Sequence, residues 1–101
     1  MADITKPAED KNTQIIEVTV GDKEFVFNVT RDDYNKYINS VVPNSKVAPS
    51  HNFLVNTIQL EDKAELVGVL KTSPGAEVQI AGAVLEEYIP DLAITAKKRK
   101  R

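Results

Sequence analysis

The chain has 101 residues, 42% of them apolar and 28% charged, proportions that fit one soluble globular domain with a single modest core. It contains no cysteine and one histidine, His51, which excludes disulfide frameworks, thiol catalysis and thiolate metal sites. The net charge of −2 hides a division: residues 97–101 read Lys-Lys-Arg-Lys-Arg, and without those five positive charges residues 1–96 carry −7.

Residues 1–13 mix Asp3, Lys6, Pro7, Glu9, Asp10 and Lys11 with few large apolar groups and read as a flexible arm. Residues 14–96 read as one domain, and residues 97–101 as a basic tail. The start lacks the apolar stretch of a signal peptide, and no run approaches the ~20 apolar residues that a bilayer span needs, so a cytosolic protein is expected. From Gln14 to Val20, Ile16, Val18 and Val20 alternate with Ile15, Glu17 and Thr19 at the period of a strand. Gly21-Asp22-Lys23 supplies turn chemistry, and Phe25, Phe27 and Val29 then alternate with Glu24, Val26 and Asn28. The two runs predict a β-hairpin, which needs helices to cover its apolar face.

Thr30 with Asp33 forms a capping-box pattern ahead of Tyr34, Tyr37, Ile38 and Val41, the spacing of one helical face. Pro43 and Asn44 end that helix, and a loop is expected to about Ala48. Pro49 suits the first turn of a second helix carrying Phe53, Leu54, Val55 and Ile58, with Leu60 as a further candidate. Asp62 with Glu65 repeats the capping pattern ahead of Leu66, Val67, Val69 and Leu70, although Gly68 weakens this third helix. A fourth helix is expected over residues 74–88, with Val78, Ala81, Val84, Leu85 and Tyr88 on its apolar stripe, ended by Pro90. Leu92, Ile94 and Ala96 alternate with Ala93 and Thr95, which allows a third strand at the hairpin's edge. The expected fold class is α+β: an N-terminal β-hairpin, with that C-terminal strand as an optional third, packed on about four short helices.

No residue set assembles catalysis. Ser50 and His51 are sequence neighbours, and such neighbours on a helix do not face each other, so they make no nucleophile and base pair. One histidine without cysteine gives a poor metal site, and four scattered glycines make no phosphate loop, so neither metal nor cofactor is expected. Asp32-Asp33 and Glu61-Asp62 stand at expected helix N-termini, where they offset the macrodipole, and Glu86-Glu87 belongs to a solvated face. The aromatic residues fall on apolar faces and read as core rather than as a base-stacking platform. By elimination the chain is a non-enzymatic binding or assembly factor.

Read whole, the sequence resembles the tail assembly chaperone family of tailed bacteriophages and prophages. The resemblance is carried by Met-Ala-Asp-Ile-Thr-Lys-Pro at 1–7, the hairpin at 18–29, Tyr34-Asn35-Lys36-Tyr37-Ile38-Asn39, and the distinctive Lys46-Val47-Ala48-Pro49-Ser50-His51-Asn52-Phe53-Leu54. Pro74-Gly75-Ala76-Glu77-Val78-Gln79-Ile80-Ala81 and the ending at 92–98 also fit. It implies a protein that keeps the phage tape measure protein soluble until tail tube protein replaces it, and a gene with a programmed frameshift, for which Lys97-Lys98 marks the place to look. Such work needs an apolar groove for amphipathic helices and a charged exterior. The partner-binding residues expected are Tyr37, Val47, His51 and Phe53, between the first two helices; the competing reading makes Tyr37 and Phe53 simply core. Two other readings stay open. One is a structural tail subunit that self-associates through the third-strand edge, and the other is a nucleic-acid accessory protein using the basic tail, although an acidic body disfavours nucleic acid.

Overall fold

The computed structural model describes residues 13–99; residues 1–12 of the expected arm and the last two residues of the basic tail lie outside the described residues. The order is β1 (Gln14–Val20), β2 (Lys23–Val29), α1 (Arg31–Ser40), α2 (Val47–Thr57), a 3-10 turn at Leu60–Asp62, α3 (Lys63–Thr72) and α4 (Ala76–Tyr88). It is an α+β fold in which the antiparallel hairpin packs against four helices.

The hairpin register sets Ile16 opposite Phe27 and Val18 opposite Phe25, so the apolar alternation of both strands falls on one face. Phe25, Phe27 and Val29 are completely buried there, and Ile16 is 4% exposed. The turn between the strands is Gly21-Asp22, with Gly21 at φ +66°, a left-handed conformation that an L side chain adopts only under strain. Nothing lies within 4 Å of a Cβ placed there, so the backbone angle and not crowding selects glycine.

α2 lies at the centre and touches α1, α3, α4 and β2, while α4 packs on β1. Phe53 and Leu54 of α2, Leu66 and Leu70 of α3, and Ile80, Ala81 and Val84 of α4 meet the hairpin face in one core. Thr57, also buried, satisfies its hydroxyl by donating to the Phe53 carbonyl at 2.8 Å. The Ser50 hydroxyl is buried with no hydrogen-bond partner among the described residues. A salt bridge of 3.1 Å from Lys23 to Glu65 links the start of β2 to α3. The hydrogen bond and charge of Glu65 raise the Lys23 pKa above its ordinary value.

Several local expectations require correction. α2 starts at Val47 and not at Pro49, because the chain reverses tightly: Val42 and Ser45 exchange two backbone hydrogen bonds, of 3.2 and 3.0 Å, around Pro43-Asn44. Pro49 is the third residue of the helix, still within the first turn, where its missing amide costs nothing. Asp62 does not cap α3. Its Oδ2 accepts instead from the Val26 backbone amide at 3.1 Å and from Gln59 Nε2 at 3.0 Å, tying the turn before α3 to the edge of β2. The buried stripe of α4 runs through Ala76, Ile80, Ala81 and Val84, whereas Val78 is 40% exposed. α4 begins at Ala76 behind Gly75, whose φ of +84° turns the chain out of α3.

The third strand is absent among the described residues, where the sheet has two strands. Asp91 Oδ1 accepts a hydrogen bond of 2.9 Å from the Ala93 amide, an Asx turn that puts Ala93 at φ +50°. That angle kinks the run at its second residue, so Leu92, Ile94 and Ala96 do not line one extended face.

Truncating Phe27 to Ala is expected to cost on the order of 3 kcal/mol or more in urea unfolding, because a fully buried aromatic ring leaves a cavity behind. A loss below about 1 kcal/mol would show that the hairpin face does not hold the core together.

Candidate functional site

α1 is positioned at its first turn. The Asp33 amide donates to Thr30 Oγ1 at 3.1 Å while the Thr30 amide donates to Asp33 Oδ2 at 3.1 Å, so the expected capping box is present. Beyond the cap the helix is held loosely, for none of its residues is buried. Two aromatic pairs dock it. Tyr37 meets Phe53 of α2 with ring centroids 5.4 Å apart, and Tyr34 meets Tyr88 at the end of α4 at 5.5 Å.

Between α1 and α2 lies a cleft of about 250 Å³. Its walls are Asp33, Lys36, Tyr37 and Ser40 on one side and Pro49, Asn52, Phe53 and Asn56 on the other. Each set has the spacing i, i+3, i+4, i+7, so each wall is one helical face. The Tyr37 and Phe53 rings meet between these walls. Asp33 is already engaged by Thr30, and Ser40 Oγ donates to the Lys36 carbonyl at 2.8 Å, which leaves the Lys36 ammonium, the Tyr37 hydroxyl and the Asn52 and Asn56 amides among the polar groups available to a guest. The volume falls below the roughly 300–1,000 Å³ of a small-molecule pocket. A notch of this kind suits an anchoring side chain of a larger partner better than a free metabolite.

Of the four residues expected to bind a partner, the structure brings Tyr37 and Phe53 together in the cleft. Phe53 is 4% exposed and belongs to the core as well, whereas Tyr37 is half-buried. Val47 does not line the cleft; it stands 56% exposed at the start of α2. Together with Ile38 and Val42, 44% and 46% exposed, it leaves apolar side chains uncovered where α1 hands over to α2. His51 is half-buried, the fifth residue of α2 and so beyond its first turn, and it lies outside the cleft lining. Sequence reasoning missed Lys36, Asn52 and Asn56. Their spacing from Tyr37 and Phe53 was the available signal.

Among the described residues no group of three or more His, Asp or Glu side chains is placed to hold a metal ion. No described helix is long and apolar enough to cross a membrane.

A family model described as phage tail assembly chaperone matches residues 16–98, which includes both walls of the cleft and the core behind them. Among curated proteins, the chain is 27% identical over 82 residues to an uncharacterized 11.3 kDa protein in the lys 3' region of Haemophilus phage HP1. That alignment covers 81% of this chain and 79% of the relative. No solved structure matches the chain significantly.

The two rings of the cleft are expected to differ in cost. Phe53→Ala, at a core position, should lose about 3 kcal/mol or more of unfolding free energy, and Tyr37→Ala only about 1 kcal/mol. Equal losses in chemical denaturation would place Tyr37 in the core rather than on a working surface.

Proposed function

Because the chain belongs to the phage tail assembly chaperone family, we propose that it binds the tape measure protein and keeps that protein soluble during tail assembly, in the cytoplasm of the host. The observation supporting this reading most directly is the α1–α2 cleft with uncovered Ile38, Val42 and Val47 beside it, inside the segment that the family model matches. An amphipathic helix buries its apolar face when anchoring side chains at i, i+3 and i+4 find such notches. Tyr37 supplies the contact face and Val47 the rim, while Phe53 acts from behind by supporting Tyr37. His51 would act at the edge, from its half-buried place on α2. The role is non-enzymatic, since covering apolar surface requires no bond to be made or broken.

The acidic body suits the same role. Residues 1–96 carry −7, so a complex with a long apolar partner keeps a charged exterior that resists aggregation. Tail tube protein would then displace the chaperone by covering the same helix faces. α1, docked by two ring pairs and with no fully buried residue of its own, is the element best able to shift as a helix enters the cleft.

Co-expression with the cognate tape measure protein is expected to raise the soluble yield of that protein severalfold. Val47→Asp, a change at an exposed position that leaves the core intact, should abolish most of the gain, and Tyr37→Asp should do the same. Reversing Glu86 or Glu87 on the solvated face of α4 should leave the gain in place. An unchanged yield across a range of ratios would refute the assignment.

A further inference from the structure

Among the described residues the hairpin has one covered edge and one open edge. On β2, the Gln59 amide donates to the Val26 carbonyl at 2.9 Å and the Val26 amide donates to Asp62, so both backbone groups of Val26 point away from β1. Val26 pairs with Glu17, and in an antiparallel ladder the groups of directly opposed residues point alike, inward or outward. The amides and carbonyls of Glu17, and by alternation those of Ile15 and Thr19, therefore face outward along β1, where no described strand meets them. An open edge of this kind is a template for another strand.

The same chain carries a strand-patterned segment that pairs with no described strand. Leu92 and Ile94 are 65% and 76% exposed, and residues 90–99 form no regular structure. What interrupts the strand is the left-handed Ala93, a conformation unfavourable for an L residue, which extension against a partner strand would release. The segment leaves α4 beside its own β1, since Leu92 and Gln14 line one hollow of about 420 Å³, yet it does not run along that strand.

We propose that residues 92–96 of one copy extend and pair with the open β1 edge of a second copy, giving a two-fold dimer through reciprocal strand exchange. Donor and acceptor lie on one chain, which is the requirement for a closed isologous pair. Charge favours the second copy as occupant. Bodies of −7 repel each other, and the donated strand delivers the three positive charges of Lys97, Lys98 and Arg99 onto the neighbouring body. The basic tail thereby gains a role that does not depend on the tape measure protein.

The test uses the full chain. Sedimentation velocity over a concentration series should show a monomer–dimer equilibrium that weakens as salt is raised. Ile94→Pro removes a strand amide from an exposed segment, so it leaves the domain folded, and it should weaken the dimer by at least about tenfold in Kd while leaving the Tm unchanged at concentrations low enough for both proteins to be monomeric. Because the chain has no cysteine, Glu17→Cys and Ile94→Cys can be made on separate chains and mixed with a short bismaleimide; a cross-linked heterodimer is expected. A monomer at every concentration, a dimer indifferent to Ile94→Pro, or cross-linking found only within a doubly substituted chain would each overturn the proposal, the last by showing that the segment folds back on its own edge.

Discussion

Phe25, Phe27 and Val29 together carry too much apolar surface to be left in water, and two strands cannot cover their own face. The helices are arranged around that need. α2 supplies Phe53 and Leu54, α3 supplies Leu66 and Leu70, and α4 supplies Ile80, Ala81 and Val84 to the same core. The covered edge of the sheet is fixed by the Val26 backbone, held by Gln59 on one side and by the Asp62 carboxylate on the other. Were the hairpin face not buried, the turn before α3 would lose its anchor and α2 its floor.

What the core leaves over defines the candidate site. With α2, α3 and α4 committed to the hairpin, α1 contributes no buried residue and docks through Tyr34 and Tyr37 alone among its aromatic side chains. The seam between a committed helix and a loosely docked one is the cleft, with apolar rim residues that the fold does not use. A family whose members assist tail assembly is served by such an arrangement, because a stable core and an adaptable helix face sit side by side in a small chain.

The parts legible in the sequence are those fixed by neighbours in the chain. Thr30 and Asp33 form their capping box from three residues' separation, and the alternation of Phe25, Phe27 and Val29 sets the buried face whatever covers it. Asp62 misled because its partner, the Val26 amide, is 36 residues away and invisible to a local pattern. Leu92 and Ile94 misled in a different way: the strand period is there, but Asp91 competes for the Ala93 amide and wins. On α4, Val78 reads as core by hydropathy, yet the hairpin lies against the face of Ile80 and Val84. Both walls of the cleft follow a helical period, so Asn52 and Asn56 were readable once Phe53 had been chosen.

Hydrogen exchange on the chain, free and mixed with soluble helical fragments of the tape measure protein, tests most directly whether the seam between α1 and α2 is the working surface. Protection is expected to rise across α1 and the first turns of α2, and in the free chain the amides of α1 should exchange faster than those of α2, α3 and α4 because α1 alone of the four helices has no fully buried residue. β2 and α4, already buried, should change little. Protection that appears instead on β1 and α4, with α1 and α2 unchanged at saturating fragment, would contradict the assignment of the cleft and move partner binding to another face of the molecule.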